Sequence, residues 1–222
     1  MSLPRVLEPE VMDSQEEALD YDAMAHGAVN ARFCDDLLAR GPDLQATLDV
    51  GTGTAQIPIA LAARAPAARM VAVDLAENML ELGRRNVARV GLDAAIALLR
   101  ADAKALPHQD GAFTCVVSNS IVHHIPEPGP VIGEMLRVLR PAGLLFVRDL
   151  LRPESEEAVA ALSDTYARGE TPRQRALFEA SLRAALTLDE VRALAATHGV
   201  PPEAVSRTSD RHWTLAFHKE AR

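Results

Sequence analysis

The amino-acid sequence predicts an α/β protein with a doubly wound, mostly parallel sheet, an antiparallel C-terminal hairpin and helical additions. Three observations predict this fold class. Short apolar runs alternate with helix-like stretches between residues 47 and 150, and residues 154–199 have a helical pattern throughout. Two strand-like runs, at 204–207 and 212–218, flank a polar turn. Alternation is typical of parallel strands joined by crossover helices, whereas a tight turn joins antiparallel strands.

The alternating region contains five predicted strands and three predicted helices. The strands are Thr47–Val50, Met70–Val73, Ala95–Leu99, Phe113–Val117 and Leu144–Val147. The helices are Ala55–Arg64, Ala76–Val90 and Pro128–Leu139. Because apolar residues occupy both faces of the strands, we expect helices to cover the sheet on both sides, as in a Rossmann-like fold.

Helical segments are also predicted outside this region. Residues 1–14 have little periodicity and are expected to form a loose arm, followed by a helix over 14–38 that Gly41-Pro42 ends. The sequence Thr187–Glu190 has the pattern of a capping box. It predicts that a helix begins there and ends near Gly199.

Composition and charge exclude several classes of protein. The 222 residues are 48% apolar and 24% charged, which is typical of a globular chain. A formal net charge of −8 opposes non-specific binding to nucleic acid or anionic membranes. Two cysteines, Cys34 and Cys115, are too few for a disulfide framework, and Cys115 lies in an apolar run that indicates burial. Since no signal-like segment or run of 18 apolar residues occurs, a cytoplasmic protein is expected.

A glycine turn follows the first predicted strand. Gly51 and Gly53 permit left-handed backbone conformations and a close approach of a ligand to the main chain. A dinucleotide-binding fingerprint would need a third glycine where Gln56 stands. Asp49 would repel a pyrophosphate but attract a cationic ligand, such as the ammonium and sulfonium groups of S-adenosylmethionine.

Acidic residues also follow the next two predicted strands. Asp74 stands 21 positions after Gly53, which is the spacing of a carboxylate that binds both ribose hydroxyls of an adenosine ligand. Asp102 is suited to the exocyclic amine of adenine, with helix capping as the alternative. Met79 is expected near the nucleoside or in the core. The spacing therefore predicts an adenosine-containing ligand at the carboxyl edge of the sheet.

These residues resemble the motifs of class I S-adenosylmethionine-dependent methyltransferases, of the small-molecule type similar to the ubiquinone/menaquinone-biosynthesis methyltransferases. The resemblance covers roughly residues 47–150, through Leu48–Gly53, Val71–Asp74, Met79-Leu80, Ala101-Asp102-Ala103 with Leu106-Pro107, Phe113–Ser120 and Glu134–Leu145. It implies S-adenosylmethionine as the cofactor and methyl transfer to a small molecule by in-line displacement. The implied cofactor-binding residues are Asp49, Gly51, Thr52, Gly53, Asp74, Leu75, Met79, Asp102, Ala103 and Asn119. Ala55 and Ala142 depart from the pattern, since this family often has glycine there.

The candidate catalytic residues are Asn119, His123 and His124, just beyond the fourth predicted strand. Asn119 is suited to the methionine moiety or to the acceptor, and a histidine is suited to removing a proton near neutral pH. A structural or capping role for the histidines is the alternative. Because the side chains of adjacent residues on a helical turn point about 100° apart, only one of the two histidines is expected to face the ligand crevice. Since no third ligand stands at a metal-binding spacing, no metal site is expected.

Two further residues are candidates for substrate binding. Tyr21 resembles residues of the lid that folds over the cofactor in this family, with core packing or surface exposure as the alternatives. Arg148, at the end of the fifth predicted strand, is suited to an acidic acceptor, although a buried ion pair with Asp149 is the favoured interpretation.

Two other functions stay open. An NAD(P)-dependent oxidoreductase is opposed by Gln56 and Asp49, whereas a non-catalytic S-adenosylmethionine-binding module would have the same cofactor motifs. The Asn/Asp-Pro-Pro-Tyr/Phe motif of methyltransferases that act on adenine or glutamine amino groups is absent, because Ser120-Ile121 follows Asn119. We therefore expect a small-molecule substrate, no nucleic-acid or membrane partner, and a monomer or homodimer.

The sequence predicts one domain with four regions, since no repeat or linker interrupts it. These regions are an N-terminal helical lid at 1–42, a cofactor-binding core at 43–150, a helical insertion at 151–200 and a C-terminal β-hairpin at 201–222. The regions outside the core are expected to build the acceptor pocket.

Overall fold

The computed structural model describes residues 3–11, 13–24 and 27–221. Two compact units emerge from the contacts along the chain. The sheet unit comprises Val11–Asn119, Pro130–Val147 and Ala216–Arg222, and the helical unit comprises Met1–Glu10, Ser120–Gly129 and Arg148–Leu215. The single-domain organisation, with its four regions, stays a prediction.

Eight helices and seven strands are formed by the described residues. The helices are α1 Gln15–Ala23, α2 Gly27–Leu38, α3 Gln56–Arg64, α4 Glu77–Arg89, α5 Gly129–Val138, α6 Glu156–Tyr166, α7 Pro172–Ala184 and α8 Leu188–Ala196. The strands are β1 Thr47–Val50, β2 Met70–Asp74, β3 Ile96–Arg100, β4 Phe113–Asn119, β5 Leu139–Leu150, β6 Val205–Arg207 and β7 His212–His218. None of these helices combines the length and apolar character needed to span a membrane.

The seven strands form one sheet in the order β3-β2-β1-β4-β5-β7-β6. Strand β1 is parallel to both β2 and β4, β2 is parallel to β3, and β6 is antiparallel to β7. The predicted fold class is therefore confirmed. The chain order reverses between β1 and β4, and in such sheets ligands bind where the carboxyl ends of the strands meet that switch point.

Burial follows the position of each strand in the sheet. All four residues of β1 and six of the seven in β4 are buried, as expected where helices cover both faces. Cys115 in β4 is 0% exposed, which confirms its prediction as a small buried residue. The prediction that all strands are covered on both faces is wrong for β3. This strand lies at the sheet edge and leaves Leu99 41% exposed.

Two predicted helical stretches are divided in the structure. The stretch 14–38 forms α1 and α2, and residues 25–26, between them, lie outside the described part of the chain. The stretch 154–199 forms α6, α7 and α8. The predicted capping box is confirmed, because the hydroxyl of Thr187 accepts from Glu190 N and the Glu190 carboxylate accepts from Thr187 N.

The N-terminal arm is a correction to the sequence prediction. The described residues up to 11 form no helix or strand, as the weak periodicity predicts. They are nevertheless anchored to the helical unit, since Val6 N donates to Arg183 O at 3.1 Å and Arg5 Nε donates to Ala184 O at 2.7 Å. The arm is therefore held by hydrogen bonds to α7 and is not loose.

Strand β5 contains an alanine in a left-handed conformation. Ala142 has φ +61° and donates its N–H to Lys219 O at 2.8 Å. The ammonium of Lys219 in turn donates to the carbonyls of Leu136 and Leu139, both at 2.7 Å, at the end of α5. Strand β5 begins five residues before the predicted Leu144 and includes Ala142.

Replacing Ala142 with glycine is expected to stabilise the protein. A left-handed conformation costs a non-glycine residue about 1–2 kcal/mol, against about 0.5–1 kcal/mol of extra unfolded-state entropy for glycine. The side chain is exposed, so little packing is lost. The Ala142→Gly variant should raise the free energy of unfolding by about 0.5–1 kcal/mol in urea titration.

The same substitution at Ala193, an exposed position inside α8, is the matched control. It should lower the free energy of unfolding by about 1 kcal/mol, because glycine is a poor helix former. Equal destabilisation of both variants would contradict a strained Ala142.

Candidate functional site

The loop between β1 and α3 is a turn with three left-handed residues. Gly51, Gly53 and Ala55 have φ values of +76°, +52° and +64°. The amides of Gly51 and Thr52 both donate to Val73 O at 2.9 Å, which ties the turn to the neighbouring strand β2. Ala55 is fully buried and adopts the conformation that the more usual glycine would adopt without strain. The departure from the family pattern therefore preserves the turn.

Asp74 locks this glycine turn. One carboxylate oxygen accepts from Gly53 N at 2.7 Å, and the other accepts from Ala76 N at 3.0 Å. Asp74, which the sequence predicts to bind ribose, thus also has a structural role, because it fixes the loops after β1 and β2. A carboxylate oxygen can accept more than one hydrogen bond, so these two contacts are compatible with donation from ribose hydroxyls.

Asp49 is a buried carboxylate with an unpartnered oxygen. It is 2% exposed, and its Oδ2 atom forms no hydrogen bond with any described residue. Burial raises the pKa of Asp49 to about 7, and the negative charge of Asp74 adds to the rise. The nearby Thr52 hydroxyl opposes the rise only in part, and it makes no hydrogen bond to the Oδ2 atom. A buried carboxylate whose Oδ2 atom lacks a partner among the described residues favours a cationic ligand.

Tyr21 reaches the glycine turn from α1. A Cβ atom added to Gly53 would lie 3.4 Å from Tyr21 Cε1, so the ring covers the main chain there. Burial raises the pKa of the Tyr21 hydroxyl to about 12, and the charges of Asp74 and Asp49 contribute to that rise. The structure therefore brings this predicted lid residue together with both carboxylates.

Gln56 anchors the N-terminal helices to the turn, a role that the sequence did not reveal. Its side-chain oxygen accepts from Asn30 Nδ2 at 3.0 Å, and its Nε2 donates to Asp22 Oδ1 at 3.2 Å. Asn86 of α4 completes the network by donating to Asp22 Oδ1 at 2.9 Å and to Thr54 O at 3.1 Å. The residue that breaks the dinucleotide fingerprint is thus the link between α1, α2 and α3.

The third acid, Asp102, follows a residue that is hydrogen-bonded to the end of β2. Its own side chain bonds within the local turn. Ala101 N donates to Asp74 O at 2.9 Å, which brings the ends of β2 and β3 together. Asp102 Oδ1 accepts from Lys104 N at 2.9 Å and lies 3.4 Å from Lys104 Nζ. Asp102 thus closes a local turn and caps no helix, since none of the described helices begins there, and the buried Ala103 belongs to the same turn.

Glu134 and Arg137 of α5 hold the loop that follows Asp102. Leu106 N donates to the Glu134 carboxylate at 2.7 Å, and Arg137 donates to the carbonyls of Leu106 and His108 at 2.9 and 2.8 Å. Arg137 lowers the pKa of Glu134 through a direct hydrogen bond at 2.7 Å. The sequence carried one signal for this pair, a carboxylate and a guanidinium three residues apart on a helix.

Two predicted cofactor residues lie beside the turn in different environments. Met79 is buried against Ala18 and Ala76, with Tyr21 packed on the same cluster, which is the core-packing alternative. Leu75 is half-buried, and its carbonyl accepts from Arg100 Nε at 3.1 Å.

Asn119 ends β4 at the switch point of the sheet. Its Oδ1 atom is buried and has no hydrogen-bond partner among the residues that the structure describes. Two residues earlier, Val117 is in register with Asp49 of β1. Asn119 therefore offers an acceptor atom near the carboxyl edge formed by β1 and β4.

The predicted catalytic histidines belong to the helical unit, where a 3₁₀ turn covers Val122–His124. His123 is buried, its Nδ1 lies 2.5 Å from Asp149 Oδ1, and its Nε2 lies 3.5 Å from Glu8 Oε1. Burial lowers the pKa of His123, but the carboxylates of Asp149 and Glu8 together outweigh this, so the pKa is raised overall. His124 Nδ1 lies 2.9 Å from Glu8 Oε1.

Arg148 is a buried residue of the helical unit. Its Nε donates to Thr214 Oγ1 at 2.9 Å. The Asp149 carboxylate, in contrast, accepts from His123 N at 3.1 Å and from Leu150 N at 2.6 Å, besides its contact with the His123 ring. Asp149 therefore serves as the carboxylate partner of His123, which the sequence did not predict.

Comparison with known proteins identifies the family of the sheet-forming segment. Residues 48–147 match the family described as Methyltransferase domain. The chain is 37% identical over 122 residues to a demethylmenaquinone methyltransferase of Thermus thermophilus, covering 55% of this chain and 54% of that protein. It is 34% identical over 187 residues to a malonyl-[acyl-carrier protein] O-methyltransferase of Geobacter sulfurreducens, covering 82% and 66%. The chain thus spans between about half and two thirds of these relatives.

Solved structures agree on the fold. A crystal structure of a SAM-dependent methyltransferase from Aquifex aeolicus superposes with a TM-score of 0.68 at 18% identity, covering 92% of this chain and 98% of that one. At this identity the likeness shows the fold, and the matched segment shows the family. Residues 48–147 of the chain form a methyltransferase domain, and the fold agrees with that of a solved S-adenosylmethionine-dependent methyltransferase.

Proposed function

We propose that the protein transfers a methyl group from S-adenosylmethionine to a small-molecule acceptor. The observation that carries this proposal is the buried Oδ2 atom of Asp49, which has no hydrogen-bond partner among the described residues. Such a group is costly to keep charged in a cofactor-free protein, and a ligand that brings a positive charge removes that cost. The donor chemistry of the site therefore fits a sulfonium cofactor.

The remaining cofactor contacts follow from the loops at the carboxyl edge. Asp74 would accept from the ribose hydroxyls, while Asp102 and Ala103 would border the adenine. The glycine turn of Gly51, Thr52 and Gly53 would face the methionine end of the cofactor together with Asp49. The Oδ1 atom of Asn119, which has no partner among the described residues, would accept from the methionine ammonium or from the acceptor.

The protein's own contribution to the reaction is orientation and exclusion of water. The bound cofactor supplies a methyl group that is already activated by the sulfonium charge. Tyr21 covers the glycine turn, and the Gln56 network fixes the helix that carries it. Rigid placement of this kind lowers the barrier to an in-line displacement by removing the entropy cost of alignment.

We propose neither His123 nor His124 as the base that removes a proton from the acceptor. Both ring nitrogens of His123 lie within 3.5 Å of a carboxylate oxygen, of Asp149 on one side and of Glu8 on the other. Asn119 is therefore the one residue of the predicted catalytic set that we retain for contact with the reacting groups. An acceptor whose nucleophile needs no base would suit such a site.

The other two functions are separable by binding and turnover. Gln56 occupies the place of the third glycine and is committed to its network, which disfavours a dinucleotide pyrophosphate. Calorimetry should show binding of S-adenosylmethionine and S-adenosylhomocysteine and none of NAD. Tight NAD binding without affinity for the sulfonium ligand would refute the proposal. Methyl transfer to a member of an acceptor panel would distinguish an enzyme from a non-catalytic binding module.

A small-molecule acceptor is supported by the relative from Thermus thermophilus, which is named for demethylmenaquinone, whereas the relative from Geobacter sulfurreducens is named for a malonyl group on a carrier protein. We also propose that the protein works in the cytoplasm as a monomer or homodimer and binds no nucleic acid. The formal net charge of −8 supports the last point, because it opposes binding to a phosphate backbone.

Removing the charge of Asp74 is expected to weaken cofactor binding. The Asp74→Asn variant should bind S-adenosylhomocysteine about 10–150-fold more weakly by calorimetry, the equivalent of about 1.5–3 kcal/mol for hydrogen bonds to a charged group. Asp93→Asn is the control, because Asp93 is exposed. An unchanged affinity in a folded Asp74→Asn protein would show that this carboxylate does not bind the ribose.

Cofactor affinity is expected to depend on pH through Asp49. Its pKa of about 7 lies above the usual 3.8, so Asp49 binds a proton as the pH falls through 7 and loses its attraction for a cation. The affinity for S-adenosylmethionine should therefore fall by up to about tenfold per pH unit below 7 and be level above it. Calorimetry between pH 5.5 and 8.5 measures this slope, and Asp49→Asn should remove it.

A further inference from the structure

The helical unit contains a cluster of side chains with metal-ligand chemistry. Glu8 of the N-terminal arm meets His123 and His124 of the 3₁₀ turn, and one potential ligand atom from each lies within 4.8 Å of the others. We propose that Glu8, His123 and His124 bind a divalent zinc-class ion. No step of the proposed methyl transfer requires this site, so the two proposals stand or fall separately.

Two of the three separations between ligand atoms are close to those around a single ion, and all three atoms lie within 4.8 Å of one another. Glu8 Oε1 lies 3.5 Å from His123 Nε2 and 2.9 Å from His124 Nδ1. Two ligands on a tetrahedral zinc ion, with bonds of about 2.0–2.1 Å, stand about 3.3 Å apart. The first separation is close to this value, and the second needs to widen by about 0.4 Å.

The His124 ring supplies an independent observation. Its Nδ1 atom is buried and has no hydrogen-bond partner within the described residues, although Glu8 Oε1 is only 2.9 Å away. The two atoms are therefore close without the geometry of a hydrogen bond. Two lone pairs that converge on a shared ion would produce such an arrangement.

Asp149 orients the His123 ring. Its Oδ1 lies 2.5 Å from His123 Nδ1, and its Oδ2 accepts from the His123 backbone N–H at 3.1 Å. A carboxylate that accepts the proton of one ring nitrogen fixes the tautomer and leaves the lone pair on the other. This carboxylate–histidine pairing typically supports a ligand histidine, and here it leaves Nε2 on the side of Glu8.

The arm is fixed before any ion binds. Arg5 donates to the carbonyls of Ala184, Pro126, His123 and Ile125, at 2.7, 3.0, 3.1 and 2.9 Å. Ser181 Oγ donates to Glu8 Oε1 at 3.2 Å, and the Glu8 side chain is 10% exposed. Because Glu8 is held in place by α7 and by the 3₁₀ turn, little ordering cost remains for binding.

The donor set selects the kind of ion. Two imidazole nitrogens and one carboxylate oxygen suit a borderline ion such as Zn²⁺, whereas Mg²⁺ prefers an octahedron of oxygens. Glu8 and Asp149 together carry two negative charges in a buried region that also contains the Arg5 guanidinium, so the site accommodates a dication best when both histidines are uncharged. Three protein ligands leave a further coordination position for water or another molecule.

The sequence predicts no metal site, because it shows two adjacent histidines and no third ligand at a suitable spacing. The structure provides that ligand from 115 residues earlier in the chain, since Glu8 meets His123 through the anchored arm. The competing explanation is a set of ion pairs between Glu8 and protonated histidines that needs no metal. The two explanations differ in what the purified protein binds.

The test starts from full-length protein stripped with EDTA and titrated with Zn²⁺, Co²⁺ or Mg²⁺. Zinc should bind at about one equivalent by mass spectrometry of the desalted protein, and Co²⁺ should give a visible absorption band of low-coordinate cobalt. Zinc at 100 times its Kd should raise the Tm by about 5–10 °C, with no rise for Mg²⁺. Absence of both Zn²⁺ and Co²⁺ binding would overturn the proposal in favour of ion pairs.

Variants locate the bound ion. Glu8→Gln and His124→Asn should each weaken zinc binding at least about 10-fold, and Asp149→Asn should weaken it about 10–100-fold. The controls Glu154→Gln and His198→Gln alter exposed residues outside the cluster and should leave zinc binding unchanged. If either Glu8→Gln or His124→Asn fails to fold, zinc binding by the other variant tests the site. Zinc binding that survives in a folded Glu8→Gln or His124→Asn protein would place the ion elsewhere and refute the site. S-adenosylhomocysteine affinity, measured alongside, reports on the methyltransferase proposal alone.

Discussion

The carboxylate of Asp74 is the constraint on which the sheet unit is organised. Its two oxygens accept from the amides of Gly53 and Ala76, which follow different strands, so one side chain fixes two loops at once. Helix α3 begins directly after the first loop and carries Gln56, through which α1 and α2 are attached. The position of Tyr21 over the turn therefore depends on Asp74 as well as on its own helix.

The carboxylates of Asp49 and Asp74 have different surroundings and therefore different roles. Backbone amides satisfy Asp74, and this pairing stabilises a turn. The Oδ2 atom of Asp49 has no hydrogen-bond partner in the described part of the chain, and burial together with the negative charge of Asp74 raises the pKa of this carboxyl. A protein that stabilises one acid and leaves the other unsatisfied has an electrostatic preference for cations built into the carboxyl edge of its sheet.

Local patterns predicted the sheet well, because strand burial and helix capping are properties of neighbouring residues. Strand β1 and the capping box at Thr187 are where the sequence predicts them. The anchored arm could not be predicted, since the carbonyls that bind Arg5 lie between 118 and 179 residues away. The role of Gln56 was hidden for the same reason, because its partners Asp22 and Asn30 lie on two other helices. Pairing across such distances leaves no periodic trace in the sequence.

The chain contains just two lysines, and both are engaged at structurally important places. Lys104 stands in the turn closed by Asp102, and Lys219 donates to the carbonyls that end α5. Amine-directed reagents therefore have few side chains to modify, one beside the candidate cofactor loop and one at a helix terminus. Acylation of Lys104 would report on occupancy of that loop. Attachment to amine-reactive supports, by contrast, would disturb the regions that an immobilised enzyme needs intact.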